Sequence, residues 1–354
     1  MLNLSYEWEL KNTNFEKNKG KVFSCFSCGG GSTMGYKLAG FDVIGCNEID
    51  PRMMEVYIKN HNPKYHYCEP IQEFKNREDL PEELYNLDIL DGSPPCSTFS
   101  IAGQREKNWG VEKKFREGQQ KQVLDTLFFD FIDLAKKLQP KVVIAENVAG
   151  LLIKSSMRYV NKIVKDLYDS GYYVRYDLLD AQFMGIPQKR RRVFFTAIRK
   201  DLYKGWFEDF HETMPLLNLE FNEKPIPFKE IREEGAPLKN KKGKIYSYWL
   251  GREYGDGDLS FGHARVSSDG TKIGFNHNLL YDDKVANTIK SSSHNILFDE
   301  FRGMSKKELC LASSFPLDYD FGKQQVDYIV GMSVPPLMSA KVADRVYNQW
   351  LKTT

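Results

Sequence analysis

Short apolar runs alternate with helical patterns over the first 200 residues of the chain. The runs are rich in Val, Ile, Phe and Tyr, and most lack the strict alternation of a strand that is exposed on one face. Such runs are typical of strands that are buried on both faces of a sheet. They predict six strands, at 21–26, 42–46, 87–91, 142–146, 173–179 and 192–198.

The clearest helical pattern lies between the third and fourth predicted strands. Apolar residues recur three and four positions apart from Val123 to Leu138, and the pattern stops before Pro140. Strands that alternate with helices indicate an α/β fold with a doubly wound, mainly parallel sheet.

The pattern changes near Lys200. From there to about Arg302 the sequence is irregular and contains turns such as YGDGD and SSDGTK, and two helices that start near Ser305 and Ser333 are expected to close the chain. We therefore expect three parts: a first domain at 1–200, a smaller irregular domain at 201–302, and C-terminal helices at 303–354 that return to the first domain.

Composition and charge narrow the class of protein. The 354 residues are 41% hydrophobic, which is enough for one large core and a smaller second unit. The net charge is only +2, so an anionic partner must be met by local clusters such as KNKKGK (239–244) and QKRRR (188–192). A solvated surface is the alternative interpretation of both runs.

The sequence predicts a cytoplasmic protein without a membrane segment. No stretch approaches the roughly 18 apolar residues of a membrane span, and the N-terminal residues lack the apolar core of a signal peptide. The six cysteines are then expected to be free thiols. Cys25 and Cys28 have the spacing of redox and zinc sites, but no second ligand pair follows at a usable distance, so we expect no metal.

A glycine-rich stretch connects the first two predicted strands. FSCGGGSTMGYKLAGFDVIGCNEID passes from a strand through three glycines into a helix, and its second strand ends in Asn47 and Glu48. Glycines let the backbone approach a ligand closely, and an acidic residue at this position binds ribose hydroxyls in open α/β sheets. Dehydrogenases and S-adenosylmethionine-dependent methyltransferases share this pattern, and a tight turn without a ligand would also produce it.

Polar residues follow two further predicted strands. In DGSPPCSTFS, Cys96 comes directly after Pro94 and Pro95, whose rings restrict the backbone on which the thiol sits. In KVVIAENVAGL, a buried strand ends in Glu146 and Asn147. A carboxylate at the carboxyl end of a central strand faces the ligand crevice, whereas Asn147 could instead cap a helix.

The segment GIPQKRRRVFFTAIR places Gln188, Arg190 and Arg192 at alternate positions before the last predicted strand. Alternate residues of an extended chain share one face. One amide and two guanidinium groups on a face can bind a phosphate, a base edge or a carboxylate, although a solvated basic edge has the same composition.

The order of these motifs, followed by a variable region and GMSVPP, resembles the DNA (cytosine-5)-methyltransferase family of type II restriction-modification systems. PPC, ENV and QKRRR are similar to the family's Pro-Cys, Glu-Asn-Val and Gln-x-Arg-x-Arg motifs, and they stand in the family's order. Each motif is short, but the set is specific, and the resemblance covers nearly all of the chain.

The resemblance implies a fold, an activity and a catalytic set. The fold would be that of S-adenosylmethionine-dependent methyltransferases, with 1–200 as the catalytic and cofactor-binding domain and 201–302 as the target-recognition domain. The activity would be methyl transfer to carbon 5 of a flipped-out cytosine in a short, specific double-stranded DNA sequence. Cys96 would add to carbon 6, Glu146 would hold or protonate ring nitrogen 3, and Arg192 and Arg190 would orient the base and hold Glu146.

The resemblance also implies the cofactor and the partners. S-adenosylmethionine would be held along the glycine loop, at the adenosine, at the methyl-donor end and at the start of the last helix, by Phe26, Gly30, Gly31, Asn47, Glu48, Ile49, Pro95, Ser333 and Val334. The segment from Ser97 to Gln119 would be the mobile loop that closes on DNA. The family's usual setting implies a monomer with a partner restriction endonuclease for the same site.

Three positions depart from the family pattern: Cys28 replaces glycine, Ser97 replaces glutamine, and Met332 replaces an asparagine that supports the cofactor pocket. Three other interpretations stay open. They are an RNA cytosine-5 methyltransferase of the same architecture, a nicotinamide-dependent oxidoreductase, and a non-catalytic binding protein. The oxidoreductase interpretation leaves PPC, ENV and QKRRR without a role.

Overall fold

The computed structural model describes residues 4–95, 112–113, 122–123, 126–207, 214–267, 277–291 and 294–353. Its centre is a seven-stranded sheet with the order β3-β2-β1-β4-β7-β9-β8. The strands of this sheet are β1 (Lys21–Cys25), β2 (Asp42–Asn47), β3 (Tyr65–Tyr67), β4 (Ile89–Gly92), β7 (Val142–Val148), β8 (Tyr172–Asp180) and β9 (Arg191–Arg199).

All six predicted strands are present in this sheet, and the prediction of a mainly parallel α/β sheet is confirmed. The pairs from β3 to β7 are parallel, and β9 runs antiparallel to both of its neighbours. The seventh strand, β3, was not predicted, because its three residues are at most half-buried and carry no apolar run. Four further strands pair outside this sheet: β5 (Glu112–Lys113), β6 (Gln122–Val123), β10 (His277–Leu280) and β11 (His294–Leu297).

Ten helices surround the strands in the described part of the chain: α1 (Gly31–Leu38), α2 (Pro51–His61), α3 (Ile71–Phe74), α4 (Leu127–Leu138), α5 (Met157–Asp169), α6 (Lys244–Leu250), α7 (Leu259–Val266), α8 (Lys306–Ala312), α9 (Val326–Met332) and α10 (Pro336–Gln349). The predicted helix before Pro140 is α4, which ends with Gln139 in the left-handed conformation. Three helices close the chain instead of the predicted two. Ser305 caps α8, whereas Ser333 ends α9, and α10 begins three residues later.

The central strands are buried on both faces, as their composition predicts. Successive residues of a strand point to opposite faces, and Phe23 of β1 belongs to the core beneath α3, α4 and α5, whereas Val22 belongs to the core beneath α1 and α10. Helices α1 and α10 pack closely, because a Cβ at Gly35 would lie 2.4 Å from the carbonyl oxygen of Pro336.

Residues 201–302 contain a small apolar core of their own, made by Trp249, Leu259, Leu279, Tyr281, Ile296 and Phe301. A second core joins this region to the rest of the chain, since Phe228 and Ile289 pack with Met34 of α1 and Leu311 of α8. Within the part of the chain that the structure describes, every helix is too short or too polar to cross a bilayer. The proposed domain boundaries stay a prediction.

Candidate active site

Three segments with candidate residues leave the sheet at the same edge. The parallel pairing sets Cys25 of β1 opposite Gly92 of β4, and Gly92 opposite Ala145 of β7. The glycine loop, the two prolines and Glu146 therefore follow neighbouring strands at their carboxyl ends, where open α/β sheets bind ligands.

Glu146 forms an ion pair with Arg192 at this edge. Arg192 Nε lies 2.8 Å from Glu146 Oε1, and the two side chains are 15% and 11% exposed. Antiparallel pairing of β7 with β9 sets Arg192 opposite Val148, two residues beyond Glu146. Burial lowers the pKa of Arg192, although the carboxylate opposes that change. The two side chains are therefore mostly enclosed by the described residues and keep a small exposed fraction.

Asn147 connects this strand to the proline segment. Its side-chain amide donates to the carbonyl oxygen of Pro94 at 3.1 Å, and its side-chain oxygen accepts from the backbone N–H of Val148 at 2.8 Å. Pro94 is buried and Pro95 is half-buried. Asn147 thus holds the prolines beside Glu146 and does not cap a helix. Cys96 lies outside the described residues.

The predicted loop from Ser97 to Gln119 also lies outside the described residues, except for the two-residue strand β5. The structure therefore shows where the chain enters this segment but does not describe Cys96 or Ser97.

Gln188 and Arg190 precede Arg192 at alternate positions, but their hydrogen bonds are not to Glu146. Arg190 donates to the carbonyl oxygens of Ile289, Gly331 and Ser333 at 3.0, 3.0 and 2.8 Å. Burial lowers the pKa of this guanidinium, and the nearby Arg192 lowers it further. Arg190 thus ties the segments around Ile289 and Ser333 to β9, whereas Arg192 holds Glu146.

Gln188 makes a similar connection. Its side-chain amide donates to the carbonyl oxygen of Ala312 at 2.9 Å, and its side-chain oxygen accepts from the N–H of Ile289 at 3.2 Å. Gln188 is fully buried, so its role here is to join α8 and the end of the variable region to the sheet.

The glycine loop is shaped by Glu48. One oxygen of this carboxylate accepts from the N–H of Cys28 at 2.8 Å, and the other accepts from the N–H of Asp50 at 2.9 Å. Burial raises the pKa of Glu48. Phe26 and Gly30 have φ angles of 54° and 76°, so the loop turns sharply on both sides of the residue that Glu48 holds.

The remaining predicted cofactor residues lie close to this loop or support it. Asn47 donates to the carbonyl oxygens of Tyr67 and Glu69. Ile49 is half-buried. A Cβ at Gly31 would lie 2.2 Å from the carbonyl oxygen of Val334 and 2.8 Å from Ser333 Cβ. The absence of a side chain at Gly31 therefore lets the segment before α10 approach the loop.

The chemistry of these groups fits an adenosine ligand. The two oxygens of a carboxylate together accept about four hydrogen bonds, and among the described residues the backbone N–H groups of Cys28, Ile49 and Asp50 contribute hydrogen bonds to Glu48. Glu48 therefore retains acceptor capacity for ribose hydroxyls. Among all the residues that the structure describes, no group of three His, Cys, Asp or Glu side chains could hold a metal ion.

One buried carboxylate at this edge was not among the predicted residues. Asp91 is the third residue of β4 and is 4% exposed. An acidic residue directly after the apolar run of a strand is the pattern that marked Glu146, and the same argument applied to β4 would have found Asp91.

Comparisons with known proteins relate this chain to DNA methyltransferases. The profile of the family described as C-5 cytosine-specific DNA methylase matches residues 20–348. The type II methyltransferase M.FnuDI of Fusobacterium nucleatum is 38% identical over 188 residues, which cover 53% of this chain and 49% of that protein. The chain thus spans about half the length of that relative. M.Eco47II of Escherichia coli is 27% identical over 95% of this chain and 81% of its own length.

Solved structures share the fold. A DNMT2 variant of Spodoptera frugiperda has a TM-score of 0.60 at 18% identity, over 93% of this chain and 98% of that one. The Dnmt2 methyltransferase of S. pombe has a TM-score of 0.59 at 15% identity, over 91% and 96%. Because the family profile covers more than nine-tenths of the sequence, the chain belongs to the C-5 cytosine-specific DNA methylase family.

Proposed function

We propose that this chain transfers a methyl group from S-adenosylmethionine to carbon 5 of a flipped-out cytosine in a short, specific double-stranded DNA sequence, through a covalent adduct of Cys96. The observation that carries the proposal is the Glu146–Arg192 pair, 2.8 Å apart, on the strand whose next residue, Asn147, holds Pro94. Two residues after Pro94 comes the thiol, so a nucleophile and an acid–base group follow adjacent strands.

The chemistry needs both groups because carbon 5 of cytosine is a poor nucleophile. Addition of the Cys96 thiolate to carbon 6 forms a C–S bond and pushes an electron pair toward ring nitrogen 3, where Glu146 holds or supplies a proton. Carbon 5 then carries enamine character and would form a bond to the methyl group of the bound donor, whose bond to the sulfonium sulfur would break and leave its electron pair on the departing thioether. A base takes the carbon 5 proton, the electron pair restores the ring, and the C–S bond breaks to release the thiolate.

Glu146 suits this role because, among the residues that the structure describes, only its Oε1 is paired. Among the described residues its ion pair is with Arg192 alone, so it keeps acceptor capacity for the nitrogen edge of cytosine. Arg192 fixes the carboxylate, and Arg190 acts at a distance by holding Ser333 beside the loop.

The cofactor would be held by the glycine loop and the residues around it. Glu48 would accept ribose hydroxyls, Asn47 and Ile49 would line the adenosine, and Pro95 would lie near the methyl-donor end. Phe26, Gly30, Gly31, Ser333 and Val334 would enclose the rest. S-adenosylmethionine supplies an electrophilic methyl group when it is bound.

Target choice is proposed for residues 201–302, within about 207–298, with 1–200 and 303–354 performing catalysis. We also propose that the chain is a cytoplasmic monomer that acts on double-stranded DNA. The type II names of the relatives support a partner restriction endonuclease for the same site. Exchanging 207–298 for the segment of a relative should move the methylated site, which bisulfite sequencing would detect. An active chimera that keeps the original site would contradict this division.

DNA containing 5-fluorocytosine at the target tests the mechanism. Fluorine at carbon 5 cannot leave as a proton, so the adduct should persist as a denaturant-stable complex when S-adenosylmethionine is present. Cys96→Ser should form no complex, and the buried thiol of Cys310, replaced by alanine, should have no effect. A mass map that finds the adduct on another cysteine would overturn the proposal, and tritium transfer to RNA instead of DNA would reassign the substrate.

A further inference from the structure

Asp91 is a buried carboxylate that receives three hydroxyl groups. Ser24 Oγ and Ser32 Oγ each donate to Oδ2 at 2.7 Å, and the hydroxyl of Tyr36 donates to Oδ1 at 3.0 Å. Among the described residues, no lysine, arginine or histidine pairs with Asp91. All of its partners there are neutral.

A buried carboxylate without a cationic partner destabilises the folded protein. Burial of a carboxylate without a cation costs free energy unless hydrogen bonds replace the lost water. Burial raises the pKa of Asp91 to about 6, and the three hydroxyls oppose that change. An apolar residue at this position would avoid the free-energy cost of burying a carboxylate. We therefore infer that Asp91 serves to accept the three hydrogen bonds from the hydroxyl groups.

The three donors come from two elements that flank the glycine loop. Ser24 lies on β1, opposite Asp91 in the parallel pair, and the loop begins two residues later. Ser32 and Tyr36 lie one turn apart on α1, which begins where the loop ends. One carboxylate therefore fixes both ends of the loop at once.

The same residue leads directly into the proline segment. Gly92 follows Asp91, and a Cβ there would lie 2.5 Å from the ring of Phe131, so β4 leaves the sheet in a tight space. Pro94 comes next but one and is held by Asn147. The position of Asp91 is thus coupled to the proline segment through a short, packed stretch of chain.

We propose that Asp91 is a positioning residue that sets the glycine loop against the proline segment carrying Cys96. It acts through Ser24, Ser32 and Tyr36 on the loop, and through its own strand on the prolines. The inference rests on the proposed function, because that function places the methyl donor and the nucleophile on these two segments.

Substitutions of Asp91 test this positioning role through two measurements. Calorimetry without DNA gives the affinity for S-adenosylmethionine, and steady-state kinetics with DNA gives KM and kcat. Asp91→Ala removes the carboxylate that accepts from three buried hydroxyls, so the loop loses its fixed position and we expect the dissociation constant for S-adenosylmethionine to rise roughly tenfold or more. Asp91→Asn keeps the shape and one acceptor oxygen, and should return the constant to within about threefold of the original chain. KM for S-adenosylmethionine should rise more than kcat falls, with DNA affinity unchanged.

Asp88 provides a matched control at the other end of the same strand. It accepts from the N–H of Lys21 at 2.7 Å and pairs with Lys141 at 2.8 Å, away from the loop. Asp88→Ala should lower the melting temperature and leave S-adenosylmethionine affinity unchanged. The melting temperature of each variant separates loss of fold from loss of position.

The outcomes distinguish the two proposals. Unchanged affinity and unchanged KM in folded Asp91→Ala, or equal losses in Asp91→Ala and Asp88→Ala, would overturn the role of Asp91 alone. An original chain that binds S-adenosylmethionine but methylates no DNA, with affinity still lost in Asp91→Ala, would overturn the proposed function and support loop positioning. An original chain that does not bind S-adenosylmethionine would overturn both.

Discussion

Two buried Arg–Glu pairs in this chain have the same chemistry and different surroundings. Arg302 and Glu308 join the end of the variable region to α8, with side chains that are 1% and 0% exposed. Glu308 accepts from both terminal nitrogens of Arg302 and from the backbone N–H groups of Ser305 and Glu233. Arg192 and Glu146 meet through one short contact at the edge of the sheet.

The difference separates a structural pair from one available for chemistry. The four hydrogen bonds on Glu308 use the full capacity of a carboxylate, so nothing else can bind it. Glu146 has one partner among the described residues and retains the rest of its capacity. A buried ion pair is thus weak evidence for function, and the acceptor positions that remain are stronger evidence.

Glu146→Gln should produce the largest effect, on activity more than on folding. Glutamine keeps the shape of the side chain but cannot supply or hold the proton at nitrogen 3, so methyl transfer and trapping by 5-fluorocytosine DNA should slow by roughly 10²–10⁴. Single-turnover kinetics with labelled S-adenosylmethionine would measure this. A loss of less than about fivefold would remove Glu146 from the proton chemistry.

Glu308→Gln should reverse the pattern. Loss of the charge leaves the Arg302 guanidinium buried, and breaking a buried pair costs about 3–5 kcal/mol. We expect the lower end, because Glu300 Oε2 still lies 2.7 Å from Arg302 Nε. Denaturant unfolding would report the loss, while kcat of the folded protein should stay constant. A stable variant with reduced kcat would mean that the two pairs do not differ as proposed.

Asp91, a buried carboxylate without a cationic partner among the described residues, makes stability depend on pH. Its pKa rises from 3.8 to about 6 on folding, so its contribution to stability is complete below 3.8 and is lost as the pH rises through 6. This change in the pKa of Asp91 corresponds to roughly 3 kcal/mol in the free energy of unfolding. Buried Tyr36 and Cys25, whose pKa values are also raised, stay neutral in this range, and Glu146 raises the pKa of Asp91 further.

Asp91→Asn should remove this dependence. The stability of the variant relative to the original chain should increase between pH 4 and pH 7, since only the original chain must ionise a buried carboxyl. Thermal unfolding of both proteins across that range would show it. Parallel stability curves would mean that Asp91 titrates as it does in the unfolded chain.

Sequence reasoning found what local patterns encode. Apolar runs gave six strands of the sheet, and the strand ends gave Glu146 and Glu48. The partners of Arg190 could not be predicted, because they are backbone carbonyls about 100 and 140 positions away, and any residue type supplies a carbonyl. Helix α9 was missed because its seven residues show little periodicity, and β3 because pairing with β2 defines it.

The two basic runs, QKRRR and KNKKGK, also differ in whether their charged groups have partners. The smallest effect is expected there. In QKRRR, Arg190 is buried and bonded to carbonyls, whereas Lys241 and Lys242 of KNKKGK are exposed and make no ion pair among the described residues. Free cations on a surface are available to phosphates, so replacing both lysines by alanine should weaken binding to all DNA sequences alike. The log–log salt dependence should flatten by roughly 0.9 per lost contact, because fewer counterions are released.

Exposed Lys136 and Lys352, replaced together, serve as a control of equal charge. An equal change in slope for both pairs would indicate a general effect of net charge, and an unchanged slope in the Lys241 and Lys242 variant would place that run on a solvated face away from DNA.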